Sequence, residues 1–255
     1  MKRFIIITLI LLLGLFYFGL PGFKNSDKTS SLPHLAQSTY SPWSNEWLEK
    51  LHRSFNLEEA VAYHIKKKEL TSLEDIAPAF QQAVIVMEDR RFYDHIGIDW
   101  EGIIRAGLVN IQKGGIEEGA STITQQFAKN IFLTQEQHWS RKAEEIVLAL
   151  QLEHTYNKEE IFTLYLNTVY FGSGAYGIQE ASQTYFDKDP AILTLAESAL
   201  LVGILPAPSA YSPHENWELA KQRQELVLDT MKKIGIITPR QAEEAKKAKI
   251  YIKPL

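Results

Sequence analysis

Residues 88–97, EDRRFYDHIG, set an acid pair, an arginine pair, two aromatics and a histidine directly behind the apolar run Ala83, Val84, Ile85, Val86, Met87. A carboxylate at the point where a buried element ends can be desolvated enough to hold its proton nearer neutral pH, which suits general acid–base work. Taken alone, the same cluster also reads as a solvated helix end. A second polar stretch, GASTITQQFAKN at residues 119–130, offers Ser121 or Thr122 as a helix cap and repeats Gln126, Lys129 and Asn130 at helical neighbour spacings. It is equally compatible with an ordinary polar helix face. In the third, SRKAEEIVLALQLEH at residues 140–154, a turn of about 100° per residue puts Ala143, Ile146, Val147 and Leu150 on one apolar face. Leu148, Ala149 and Leu152 make a second, and Glu145 falls among them, whereas Glu144 shares a polar strip with Gln151. A carboxylate among apolar neighbours is costly unless it is paired or functional. Arg141, four residues earlier, is the ready salt-bridge partner.

These groups need elements to hold them. Thr71 with Glu74 reads as a capping box and Pro78 suits a first turn, so the pattern predicts a buried helix from about Pro78 into Glu88. A second helix is predicted over residues 100–112, followed by a glycine-bearing loop at 113–119. Asn157 and Glu160 open another helix that ends at YFGSGAYGI. Thr194 and Glu197 open LAESALLVGI, which Pro206 and Pro208 stop. Residues 217–234 and the basic piece from Pro239 read as structural helix. Near the start, Trp47, Leu51 and Phe55 have helical spacing, and the alternation Val61, Tyr63, Ile65 suggests a short strand. The expected body is mostly α, with at most a small strand element.

The composition narrows the function. With 255 residues, 45% apolar and 23% charged, the chain can bury a real core, as one domain or one large domain with a small lobe. A net charge of −4 offers no basic face for nucleic acid. The absence of cysteine excludes thiol chemistry, thiolate metal sites and disulfides. Lys2 and Arg3 precede an uncharged apolar run at residues 4–20, which as a helix is about 25 Å long against a hydrocarbon core of roughly 30 Å. No small-x-small cleavage site follows it. Residues 1–22 are therefore expected to be an uncleaved signal-anchor and residues 23–45 a linker, with the body outside the inner face of the membrane.

In chain order, EDRRFYDHIG, GASTITQQFAKN, RKAEEIVLALQLE, KEEIFTLYLNTVYFGSGAYG and ALLVGILPAPSAYSP resemble the five motifs of the peptidoglycan glycosyltransferases, glycosyltransferase family 51, over about residues 70–235. The resemblance implies a lysozyme-like helical domain, residues 46–255, with a small membrane-proximal lobe and one N-terminal transmembrane helix. It implies an enzyme of the bacterial inner membrane, single-pass, with its catalytic domain on the extracytoplasmic side, that polymerises lipid II into β-1,4 glycan with inversion and loss of polyprenyl diphosphate. Glu88 would be the general base. Glu145 would assist at the diphosphate, directly or through a divalent metal, Mg or Mn, and no organic cofactor is implied. Lys129, Arg141 and Lys142 would bind the diphosphate, and Ser121, Thr122, Gln126 and Asn130 would complete the polar lining. Asp89, Arg90 and His95 would shape the site.

The implied partners are lipid II, the lipid-linked nascent glycan, the bilayer, and proteins of cell-wall synthesis or division. Ile131, Phe132, Leu133 and Trp139 could form an apolar lip at the membrane or simply join the core. The S-x-x-K, S-x-N and K-T-G set of a transpeptidase is not present, and Lys28-Thr29-Ser30 in the linker has no partner motifs. The expected activity is therefore strand synthesis without cross-linking. A lytic lysozyme-like enzyme would also use a lone glutamate, but a neutral leaving group needs no cationic clamp. A non-catalytic wall-binding scaffold would need neither the glutamates nor the cations.

Overall fold

The computed structural model of the protein describes residues 56–65, 69–113, 119–133 and 139–254. The described chain is helical: α1 (Leu57–Ile65), α2 (Pro78–Glu88), α3 (Trp100–Lys113), α4 (Ile123–Phe132), α5 (Trp139–Thr155), α6 (Lys158–Thr168), α7 (Ile178–Phe186), α8 (Leu195–Ile204), the short α9 (Pro208–Tyr211), α10 (Trp217–Lys233) and α11 (Pro239–Lys247). The strand content among these residues is one isolated bridge, Tyr170 to Tyr176.

The predicted strand at Val61, Tyr63 and Ile65 is helix. Leu57, Val61 and Ile65 are buried at a spacing of four and Tyr63 is exposed, so the four-residue period wins over the alternation. The Thr71–Glu74 box does not form. Ser72 precedes a 3₁₀ turn at Leu73–Asp75, while the Thr71 backbone pairs with the Asn167 side chain through two bonds of 2.9 Å. Pro78 does open α2, and Thr122, Asn157 and Thr194 each close a reciprocal capping box. The expected transmembrane segment and linker, residues 1–45, and the helical spacing of Trp47, Leu51 and Phe55 lie outside the described residues. No described helix is long and apolar enough to cross a membrane.

The core is built around α8, where every residue from Ala196 to Ile204 is buried. It packs on α10 and α2, and α10 also touches α2. A second group has α4 lying on both α5 and α6. Phe80 of α2 and Phe171 meet in the core with centroids 6.1 Å apart, and Phe80 is fully buried. Burying a side chain of that size stabilises the fold by about 1.5–3 kcal/mol. Because α2 is fixed in this way along its length, its last residue, Glu88, is held at the edge of the core.

Candidate active site

Glu88 leaves α2 at a cavity of about 490 Å³ whose wall comes from the end of α2, α3, the residues leading into α4, Gln126 of α4, and α10. One Glu88 oxygen, Oε2, accepts a hydrogen bond from Gln126 Nε2 at 2.7 Å. The Tyr165 hydroxyl donates to Gln126 Oε1 at 3.1 Å. A phenol that donates to Oε1 leaves Nε2 to face the carboxylate, so Tyr165 fixes which end of the amide Glu88 meets. Tyr165 is fully buried, and burial pushes its hydroxyl well above the usual tyrosine range, so it remains a neutral donor. Burial likewise pushes the Glu88 carboxyl above the ordinary glutamate range. The Gln126 hydrogen bond and the charges of Arg223 and Lys129 pull the other way, and neighbouring Asp89 adds to the rise. Desolvation wins.

Asp89 turns away from this chemistry. His95 Nε2 lies 3.0 and 2.9 Å from its two oxygens, and the Ile123 backbone N–H donates to Oδ2 at 3.0 Å. His95 Nδ1 accepts from the Gly97 N–H at 3.1 Å, which leaves Nε2 to face Asp89. Gly97 holds φ at +85°, which a side chain would resist, and its carbonyl accepts from Thr122 Oγ1 at 2.7 Å. Thr122 in turn caps α4 through Gln125. These residues splice the end of α2 to the start of α4, one turn before Gln126. Arg90 is exposed, borders the cavity, and donates from Nε to Val86 O at 3.1 Å.

The cations of α5 meet the strip before α4. Lys142 Nζ donates to Glu145 Oε1 in a short contact and to Ser121 Oγ at 3.3 Å. Glu145 is 4% exposed, so it is the buried carboxylate that the second apolar face predicts, but its partner is Lys142 and not Arg141. The Arg141 Nε is buried with no hydrogen-bond partner. Glu144 is also buried, although the wheel assigns it to a polar strip. The reason is that α5 is covered from more than one side, by α1, α4 and α6, which a single-helix pattern does not encode. Lys129 and Asn130 are exposed on α4 and do not border the cavity. Ile131, Phe132 and Leu133 pack against the core, the second of their two expected readings; the Trp139 side chain lies outside what is described.

No group of three His, Cys, Asp or Glu side chains able to hold a metal ion occurs among the described residues. The Lys142 ammonium already engages Glu145. These residues do not fit a resident divalent metal on their own.

The sequence pattern reads the helix over residues 217–234 as structural, and in the structure it also supplies part of the cavity wall. Arg223, Leu226 and Thr230 of α10 border the cavity, as do Asp99 and Arg105. One signal is legible in retrospect: Arg223 lies three residues after buried Ala220 and four before buried Val227, an arginine on a core-facing stripe.

A family model described as Transglycosylase matches residues 56–232. Among similar proteins, penicillin-binding protein 1A of Neisseria flavescens is 45% identical over 189 residues, 74% of this chain and 24% of that protein. Penicillin-binding protein 1A of Aquifex aeolicus is 40% identical over 257 residues, 99% of this chain and 34% of that protein. A crystal structure of penicillin-binding protein 1A from Haemophilus influenzae, 27% identical, aligns with a TM-score of 0.37 over 51% of this chain and 16% of that chain, a likeness too partial to bear on the fold. The chain thus matches 24% and 34% of the length of these two curated relatives.

Proposed function

Because the chain belongs to the transglycosylases, the peptidoglycan glycosyltransferases of family 51, we propose that it polymerises lipid II into β-1,4 glycan on the outer side of the bacterial inner membrane. The domain would take the family's lysozyme-like form with a membrane-proximal lobe, anchored through residues 1–22. The observation that carries this reading is the desolvated Glu88 carboxylate, oriented by Gln126 at the cavity wall.

In the proposed reaction Glu88 takes the proton from the 4-hydroxyl of one lipid II sugar. The freed oxygen bonds to the anomeric carbon of the lipid-linked glycan as the bond to diphosphate breaks, with inversion. Polyprenyl diphosphate leaves with both electrons of that bond. The leaving group's charge calls for cations, and Lys129, Arg141 and Lys142 supply them, with Ser121 and Asn130 as polar lining. The Arg141 Nε without a partner and the solvent-facing Lys129 support that role. Asp89, Arg90 and His95 hold the frame. The 255 residues carry no transpeptidase motif set, so polymerisation alone is the activity proposed for them.

The bilayer needs a contact surface, and residues 131–133 are half-buried against the core. A better candidate is α3. Trp100, Ile104, Leu108 and Ile111 are 59, 65, 57 and 81% exposed and recur on one helical stripe. We propose that this stripe dips into the interface beside the cavity.

The decisive assay incubates the full-length protein with labelled lipid II, a divalent metal and detergent. Polymer that a muramidase degrades is expected, and Glu88→Gln is expected to slow its formation by about 10²-fold or more. Polymer formation by Glu88→Gln at close to the wild-type rate refutes the assignment of the base. Cleavage of preformed glycan with no polymer supports the lytic enzyme instead.

A further inference from the structure

Glu88 sits in a position where burial alone favours the protonated form, yet a base must be ionised to act. Something fixed has to oppose the burial. Gln126 offers a hydrogen bond, and two cations act at longer range, Arg223 more strongly than Lys129. Lys129 is exposed on α4, and under the proposed function the substrate diphosphate engages it. Arg223 stands apart from that cluster.

The way Arg223 is held is unusual for a surface arginine. Its Nε donates to Gly203 O of α8 at 3.1 Å, and its guanidinium carbon lies 5.3 Å from the centre of the Tyr211 ring in α9. The helices α8 and α10 cross so closely that a Cβ on Gly203 would meet Arg223 C at 2.9 Å and Gln224 N at 3.0 Å. Beside it Gln224, fully buried, donates from Nε2 to Ala196 O at 2.8 Å and locks the crossing. The side chain therefore leaves a rigid seam and ends on the cavity wall that Glu88 also borders. Among the described residues Arg223 forms no ion pair that would engage its charge elsewhere.

We propose that Arg223 is a positioning residue for the transfer reaction: the seam between α8 and α10 presents its guanidinium across the cavity as the standing counter-charge of the Glu88 carboxylate. This rests on the reading of Glu88 as the base. The other charged groups around Glu88 do not replace it. Asp89 repels and is engaged by His95 and the Ile123 N–H, Tyr165 is neutral, and Arg90, Asp99 and Arg105 border the same cavity with mixed sign. The only role of Gly203 in catalysis is then to be absent as a side chain, so that Arg223 can seat.

The test reads Glu88 directly. The full-length protein, with its glutamate carboxyls carbon-13 labelled, is titrated by NMR in detergent without substrate, and the Glu88 resonance is identified by its loss in Glu88→Gln. In Arg223→Met the Glu88 titration is expected to move to higher pH, and in Arg223→Lys to return most of the way. In lipid II polymerisation, Arg223→Met is expected to move the acid limb of kcat/KM upward in parallel, so that the rate falls severalfold more below neutral pH than above it. An unchanged Glu88 titration in Arg223→Met overturns the proposal. So does a rise in KM with the acid limb unmoved, which would make Arg223 a substrate ligand. If Arg223→Met does not fold, Arg223→Gln takes its place in both measurements, and the same two results overturn the proposal. A wild type that makes no polymer defeats the proposed function, yet the titration still decides this point.

Discussion

Glu88 is in tension with its surroundings, and the tension has a sign. Its carboxyl is raised in the folded state, so the native chain holds that proton more tightly than the unfolded chain does. Folding stability from this group is therefore greatest at low pH and declines as pH rises from the unfolded value through the folded one. Glu88→Gln keeps an oxygen for Gln126 and removes the desolvated charge. It is expected to raise the thermal unfolding midpoint at neutral pH, seen by calorimetry, while lowering polymerisation by about 10²–10⁴-fold. In the wild type the acid limb of kcat/KM is expected above the ordinary carboxylate range. Tyr165→Phe leaves Gln126 Oε1 without its donor in a half-buried place. About 1–3 kcal/mol of stability is expected to be lost in urea unfolding, and kcat should fall further than KM rises, because the amide is no longer held in one orientation. At this scale the sequence showed Glu88 and Glu145 plainly, since both are acids set among apolar residues. It could not show that Lys142 would answer Glu145, because i−3 and i−4 partners are equivalent until the helix has neighbours.

The helices carry the site through their ends. The start of α4 is bound at Asp89, Thr122 and Gly97 together, so its cap is also the clamp between Glu88 and the Gln126 amide. Thr122→Ala removes the cap to Gln125 and the bond to the Gly97 carbonyl. It is expected to cost about 1–2 kcal/mol in chemical denaturation and to lower kcat, whereas Thr194→Ala, at a similar cap on α8, should cost stability with a smaller loss of rate. Capping boxes were legible because they are complete within four residues. The Thr71–Glu74 box failed for a reason no local window contains: the Thr71 backbone is paired with Asn167, far along the chain. The strand expected at residues 61–65 failed because alternation over three residues is weaker evidence than the four-residue spacing that Leu57 completes.

Across the whole molecule, what the sequence withheld is mostly a matter of which surfaces face one another. The α10 wall of the cavity and the exposed stripe on α3 are both products of assembly, since either helix alone reads as an ordinary amphipathic segment. The stripe makes a prediction of its own. With residues 1–22 removed, the protein is expected to co-sediment with liposomes of mixed anionic and zwitterionic lipid, and Ile104→Ser with Leu108→Ser is expected to weaken that by about tenfold. Binding that survives both substitutions would place the contact elsewhere. Phe132→Ser and Leu133→Ser serve as the comparison, since these half-buried side chains pack against the core and should reduce stability first.

The pairing of Lys142 with Glu145 bears on how the site empties itself. An ammonium already engaged by a carboxylate meets an arriving diphosphate by exchange and not by simple addition, since Glu145 competes for the same charge. Under the proposed function that competition weakens the grip on the leaving group from the outset. Once the bond to the sugar breaks, Glu145 would reclaim its partner, so the proposed arrangement favours letting the lipid diphosphate go over holding it, as polymerisation would require once in every cycle.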